Sequence, residues 1–225
     1  MRAKPIIFAA FGLSALTASA QSVTVEGNLP KFMGREITIS EPERDAEGFP
    51  KGPASVCVQG PPQRQCYTAP KDFGNSPKVT VVQLKKGVPA LFFSAASGGV
   101  SGWAVHFALL RPDMGNELED MFALDTTVSN QSQHAFWSDL AISDAQIFVT
   151  ADYVPELSHY GEHRYMVSSY IWRPPLMFDD VLYILDDRYM TARRYDLGSG
   201  ADILASEKQE VLARLRRAKA AAEPR

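Results

Sequence analysis

Long hydrophobic runs are scarce in this 225-residue chain. The apolar run from Pro5 to Leu16 is shorter than the ~20 residues a helix needs to cross a bilayer, and no later run is continuous enough to span one. Basic charge is also in short supply. With 23 Lys and Arg against 26 Asp and Glu, the chain lacks the positive face that nucleic acid demands, so a nucleic-acid partner is excluded. Cysteine is nearly absent. Cys57 and Cys66 are the only two; their spacing is not the C-x-x-C of a redox pair, and two isolated thiols make a still weaker case for a metal. The phosphate loop G-x-x-x-x-G-K-S/T is missing as well.

What the N-terminus does contain is an export layout. Arg2 and Lys4 precede the apolar run, and Leu16-Thr17-Ala18-Ser19-Ala20 supplies the small residues of a cleavage site before Gln21. Residues 1–20 therefore read as a signal peptide, and the mature chain as periplasmic or extracellular. Losing Arg2 and Lys4 takes the 23 basic residues to 21, for a net charge of −5. In an oxidising compartment Cys57 and Cys66 are expected to pair across the turn Gly60-Pro61-Pro62. Closing so short a loop is worth about 2.5–3 kcal/mol on the chain-entropy argument.

The chain is organised around P-A-L-F-F-S-A-A-S-G-G-V-S-G-W-A-V-H-F-A-L-L-R-P, Pro89 to Pro112, because a looser copy follows it. Ala90, Phe93 and Ala96 match Ala145, Phe148 and Ala151; Val105, Arg111 and Pro112 match Val167, Arg173 and Pro174 after a seven-residue change of offset. The extra residues fall in a loop, where insertions cost least. Glu119-Asp120-Met121-Phe122 is echoed by Asp179-Asp180-Val181-Leu182.

Two repeated β-meanders follow from this pattern. The first runs from V-T-V-V-Q-L at Val79 through Ala90 to Ala95, Trp103 to Leu110 and Leu118 to Leu124. The second comprises His134 to Trp137, Ala145 to Tyr153, Arg164 to Trp172, Val181 to Leu185 and an extended piece from Tyr189 to Tyr195. Apolar residues on both faces of Ala90 to Ala95 place that strand between two layers. The expected fold is mainly β: an antiparallel sandwich or partly closed barrel, plus a C-terminal helix. Two propeller-like blades cannot close a ring, which favours the sandwich. The divisions are 1–20 signal peptide, 21–78 N-terminal strands and disulfide loop, 79–197 meander core and 198–225 helix and tail. Within 21–78, S-V-T-V-E-G and R-E-I-T-I-S alternate as half-buried strands, and E-P-E-R-D-A-E-G-F-P-K-G-P reads as a surface loop.

In S-E-K-Q-E-V-L-A-R-L-R-R-A-K-A-A-A the period changes to that of a helix. Ser206 is its expected N-cap, Gln209 completes a capping box, and Val211, Leu212 and Leu215 make a narrow apolar stripe. Glu210 and Arg214 stand at i and i+4, and Arg214, Arg216, Arg217 and Lys219 crowd the far end, where the helix dipole favours cations.

Three stretches carry candidate chemistry. Ala95-Ala96-Ser97-Gly98-Gly99 approaches the nucleophile elbow G-x-S-x-G, with Asp139 or Asp152 and His159 or His163 downstream in the Ser, Asp, His order. No βα units precede Ser97, and a hairpin turn explains the same glycines. The loop from Ala151 to His163 is the densest ligand-type cluster. His159 and His163, four apart, suit a divalent metal if a helical turn forms, with Asp152, Glu156 or Glu162 as oxygen donors. Gly161 weakens that turn, and the glutamate of H-E-x-x-H is missing. Trp103, Trp137 and Trp172 with Tyr153, Tyr160 and Tyr165 suit a sugar face, but they sit on core-forming strands. His106 reads as a packed strand residue, His134 as a turn residue, and Gly98 to Gly102 as a glycine-rich turn with N–H groups for an anion.

The residues favour an exported, non-catalytic binding or envelope-associated module acting through loops at one end of its sheets. Its partner would be a protein, glycan or small molecule at the cell envelope, with no resident cofactor. The alternative is a secreted hydrolase, serine-based at Ser97 or metal-dependent at His159 and His163.

Overall fold

A computed structural model of the chain describes residues 31–60, 63–98, 103–112, 117–122, 126–154, 161–173, 182–196 and 201–222. The expected signal peptide, the S-V-T-V-E-G strand and the echo at 179–181 lie outside them. Strands β1 (Ile37–Ser40), β2 (Ser55–Val58) and β3 (Gln65–Thr68) form one antiparallel sheet in that order. A second sheet is a meander of β4 (Asn75–Lys85), β5 (Val88–Ala96), β6 (Ala104–Pro112) and β7 (Leu118–Asp120), with β8 (Thr127–Ser129) paired to the start of β6. A third sheet, also a meander, contains β9 (Gln133–Trp137), β10 (Ile147–Tyr153), β11 (Tyr165–Arg173) and β12 (Leu182–Met190). Helix α1 spans Ile203–Ala222. The sheets are three separate antiparallel layers rather than a closed barrel.

Strand periodicity explains why the layers stack. Along β5, Leu91, Phe93 and Ala95 pack with Ile37, Ile39, Val56 and Val58 of the N-terminal sheet. On its other face Ala90 and Phe92 meet Phe148, Tyr170 and Tyr183 of the third sheet. Successive side chains of a strand point to opposite faces, so a strand apolar on both sides must lie between two layers. The same holds in β10: Phe148 faces the second sheet, while Ile147, Val149 and Ala151 pack with Val211, Leu212 and Leu215 of α1. The order of layers is therefore N-terminal sheet, second sheet, third sheet, helix. Phe93 and Phe148 are fully buried, and burial of each such side chain contributes about 1.5–3 kcal/mol.

Both long hairpins are antiparallel ladders. Ala96 faces Val105 in the β5–β6 ladder, and Ala151 faces Val167 in the β10–β11 ladder. Phe93 faces Ala108, and Phe148 faces Tyr170. β4 begins at Asn75, ahead of the V-T-V-V-Q-L pattern, and turns through Lys86 and Gly87, whose φ of 77° suits glycine. Cys57 and Cys66 are bonded and face each other across β2 and β3.

The start of α1 differs from the expectation. Asp202, not Ser206, is the N-cap: its carboxylate accepts the Ala205 N–H at 2.8 Å. Ser206 lies in the first turn and donates its hydroxyl to the Asp202 carbonyl. Two cap-type residues stand four apart, and the one that wins adds Ile203 and Leu204 to the buried face. The Glu210–Arg214 pair also gives way. Arg214 forks onto Asp187 of β12 at 2.5 and 3.0 Å, and Glu210 is met by Arg217 at 3.3 Å. A planar guanidinium gains more from a bidentate carboxylate than from one oxygen along its own helix.

Candidate functional site

Ser97 follows β5 and closes a hairpin. Its N–H donates to the Ala104 carbonyl at 2.8 Å, and its hydroxyl accepts the Ala104 N–H at 2.9 Å. The segment after it is strand β6, where an elbow needs a helix. Among the described residues no hydrogen bond joins Ser97 to a histidine. Asp152 is likewise engaged. Its carboxylate accepts both the N–H and the hydroxyl of Ser129, at 2.9 and 2.7 Å, tying β8 to β10 across two sheets.

His163 is buried and exchanges backbone hydrogen bonds with Tyr195 at 2.9 and 2.8 Å. Its ring stands edge-on to Tyr153 at 4.7 Å, and its Nε2 has no hydrogen-bond partner among the described residues. Glu162 is exposed. Glu156, His159 and Tyr160 lie outside the described residues, so the His159–His163 pairing is not placed. No cluster of three His, Cys, Asp or Glu suited to a metal occurs among the described residues.

The remaining aromatic and histidine candidates are scattered. Trp103 is half exposed, Trp137 is buried against α1, and Trp172 lies under the Lys85 ammonium at 4.4 Å. His106 is buried, with Nε2 2.8 Å from the Tyr67 hydroxyl. His134 lies against Phe92 and Phe107 with ring centroids 5.0 and 4.8 Å away. Desolvation against these rings lowers its pKa, and Lys78 lowers it further. Tyr165 is fully buried, and burial is the main cause that pushes its hydroxyl up to about 12.

Under α1 a buried polar knot was not anticipated. Glu207 accepts hydrogen bonds from the hydroxyls of Tyr189, at 2.9 Å, and Tyr195. Burial, followed by the bond to Glu207, pushes Tyr195 up to about 12. Glu207 is spaced i, i+4 from Val211, so the helical period places it on the buried face. Its polarity disguises that role in sequence.

An open cleft of about 510 Å³ lies among three connections: β1 to β2, β3 to β4, and the end of the β5 hairpin. It is lined by Phe49, Pro50, Lys51, Pro53, Lys71 and Asp72, with backbone from Gly52 and Gly98. The walls are braced. Asp45 and Phe49 bond through Phe49 N–H to the Asp45 carboxylate at 2.7 Å and Asp45 N–H to the Phe49 carbonyl at 2.8 Å. Arg44 spans Gly48 and Asn75 at 2.8 and 3.1 Å, and the Ala54 N–H reaches the Phe73 carbonyl at 2.9 Å. Gly74 allows this closeness: a Cβ there would stand 2.2 Å from the Gly52 carbonyl oxygen. Phe49 nonetheless keeps 43% of its surface in solvent. Lys51 approaches Glu43 only at 3.9 Å, both half exposed, a contact worth little. The cleft thus offers a flat ring, two ammonium groups and fixed backbone in one place. The sequence signal for it was a single aromatic in the charged Pro/Gly loop.

No protein-family model matches the chain, and no curated protein or solved structure matches it either.

Proposed function

We propose that this is an exported, non-catalytic binding module of the cell envelope, built from a duplicated β-meander, and that it holds its ligand in the cleft at Phe49, Lys51 and Lys71. The observation that carries the reading is the exposed Phe49 ring beside two lysines on loops pinned by Gly74 and Arg44. Loops on a rigid scaffold are where binding residues concentrate. A braced site spends little free energy on ordering when ligand arrives. An exposed ring next to cations suits a ligand with an apolar flat face and an anionic group, such as a uronic-acid-bearing oligosaccharide. Residues 1–20, read as a signal peptide, and the Cys57–Cys66 bond support an oxidising, extracytoplasmic address.

The test is calorimetric titration of the mature chain with an oligogalacturonate and with its neutral oligogalactose counterpart. Binding of the acidic sugar, weakened tenfold or more in Lys71→Ala and Phe49→Ala, is expected. Equal affinity for both sugars, or no response to either substitution, would remove the cleft from consideration. Labelling of the wild type by a fluorophosphonate, abolished in Ser97→Ala, would instead establish the hydrolase.

A further inference from the structure

We infer that β9 is the seam of a twofold homodimer, in which the third sheets of two copies join edge to edge. The inference uses none of the residues of the Phe49 cleft and stands or falls separately from the ligand proposed there.

Edge strands that remain monomeric are blunted by proline, bulges or charge. β4 carries Pro77 and register shifts at Asn75/Lys78 and Gln83/Lys85. β12 carries Asp186-Asp187-Arg188, and its ladder shifts at Ser169/Tyr170. β9 has none of these devices. Gln133-His134-Ala135-Phe136-Trp137 contains no proline and no acidic or basic residue other than a histidine, and its ladder to β10 runs unbroken from Trp137 to Gln133. Among the described residues β10 is its single strand partner.

An open groove of about 600 Å³ runs between β9 and the first turns of α1. Its two ends carry opposite charge. Lys208 stands over the Trp137 ring at 5.4 Å and makes no ion pair among the described residues. Asp202 lies at the Gln133 end, because the Gln133 amide oxygen accepts the N–H of Ile203 at 2.9 Å. Antiparallel pairing of β9 with its copy about an axis at Ala135 sets Gln133 opposite the copy's Trp137. Asp202 of each chain then meets Lys208 of the other, and the groove is complementary to itself. This is the isologous arrangement that a twofold requires, and it identifies the occupant as a second copy of this chain. The result is one continuous sheet of eight strands.

The measurement is the mass in solution of the mature chain, by sedimentation velocity across the micromolar range, for the wild type and for Lys208→Glu and Asp202→Lys. The wild type is expected at twice the protomer mass. Each variant alone should dissociate roughly tenfold or more readily, since both cross-axis pairs become repulsive. An equimolar mixture of the two should dimerise again, because a mixed dimer restores opposite charges at both positions. Ala135→Cys, the one free thiol in an otherwise paired chain, should cross-link two copies on oxidation without needing any charge change. Lys208 is exposed, so Lys208→Glu and the Cys variant keep the test valid even if Asp202→Lys frays the helix. A monomer at every concentration overturns the inference. So does a dimer that ignores Lys208→Glu and does not cross-link, or an assembly that grows beyond two copies.

Discussion

The amide oxygen of Gln133, on β9, accepts the N–H groups of both Ile203 and Leu204 at the start of α1, at 2.9 and 3.3 Å, while its amide nitrogen donates to the Ala201 carbonyl at 2.9 Å. One side chain 70 residues away thus satisfies two of the four N–H groups that a helix leaves unmade. Asp202 provides for a third through its carboxylate to Ala205, and its carbonyl accepts the first bond within the helix, from Ser206. A helix rich in Ala, Leu, Arg and Lys, which favour the helical state on their own, is fixed in place by the sheet it covers.

Gln133→Ala is therefore expected to destabilise the fold by about 1–3 kcal/mol, since it strands two N–H groups at a half-buried helix end. Urea denaturation followed by far-ultraviolet circular dichroism measures this. Gln133→Glu, which keeps the acceptor but loses the donor to Ala201, should fall between the two. Equal stability of all three proteins would show that water replaces the side chain at no cost.

The Arg214–Asp187 fork predicts an acid dependence. The hydrogen bond from Arg214 is the main cause that holds the Asp187 carboxyl below its ordinary value. A carboxylate with a depressed folded pKa stabilises the fold above its unfolded value of about 3.9, and that contribution disappears as pH falls through the folded value. Arg214→Ala should lower stability at pH 7, also because it uncovers the Tyr189 ring 4.5 Å away. The gap between variant and wild type should narrow as the solution is acidified below the unfolded value. A gap independent of pH would assign the whole effect to packing.

At the cleft, Gly74→Ala and Gly52→Ala should separate cleanly. A Cβ on Gly74 meets the Gly52 carbonyl oxygen at 2.2 Å and Pro50 Cβ at 2.6 Å, whereas a Cβ on Gly52 meets only Pro42 Cβ at 3.9 Å. Overpacking of the first kind costs about 1–3 kcal/mol, and surface substitutions of the second kind stay within about 0.5 kcal/mol. Thermal melts of the two variants give the comparison. Comparable melting temperatures would mean that the two loops part easily.

Alkaline titration tests the helix packing. Tyr165 and Tyr195 are both pushed up to about 12 from 10.0. A group with a raised folded pKa stabilises fully below its unfolded value and loses that contribution as pH rises to the folded one. Stability should thus decline from pH 10 to pH 12, with these phenols ionising late in the absorbance change at 295 nm. Normal ionisation of every tyrosine before the fold opens would contradict the burial of this layer.

Short-range pattern was enough for many of the strands, though the separate pieces expected at Val181 to Leu185 and Tyr189 to Tyr195 are replaced by the single strand β12, Leu182–Met190, and β8 was not foreseen. Alternation in R-E-I-T-I-S and V-T-V-V-Q-L, the two-sided apolar strand at Ala90 to Ala95, the turn at Lys86-Gly87 and the pairing of Cys57 with Cys66 all depend on neighbours within a dozen residues, and the structure has them. The helix was legible by its period, but its first residue was not. Choosing between Ser206 and Asp202 depends on which start brings Ile203 and Leu204 onto the sheet beside Gln133, a choice made by burial and not by the cap residue itself.

The candidate site divides in the same way. Ser97, Asp152 and His163 stand out in sequence because their side chains can do chemistry, yet the tertiary structure uses the first two as ties, between the strands of a hairpin and between two sheets, and buries the third. A polar side chain looks the same on paper whether it faces ligand or a backbone N–H from a distant strand. The cleft at Phe49 is the reverse case, three unremarkable loops brought together into a cleft by contacts such as that of Gly74 with Gly52. Sequence alone determined most of the strands and the helix, since hydrophobic periodicity is local and dominates the free energy of folding. Only the tertiary structure decided which polar groups were left for solvent, because that depends on contacts between residues far apart in the chain.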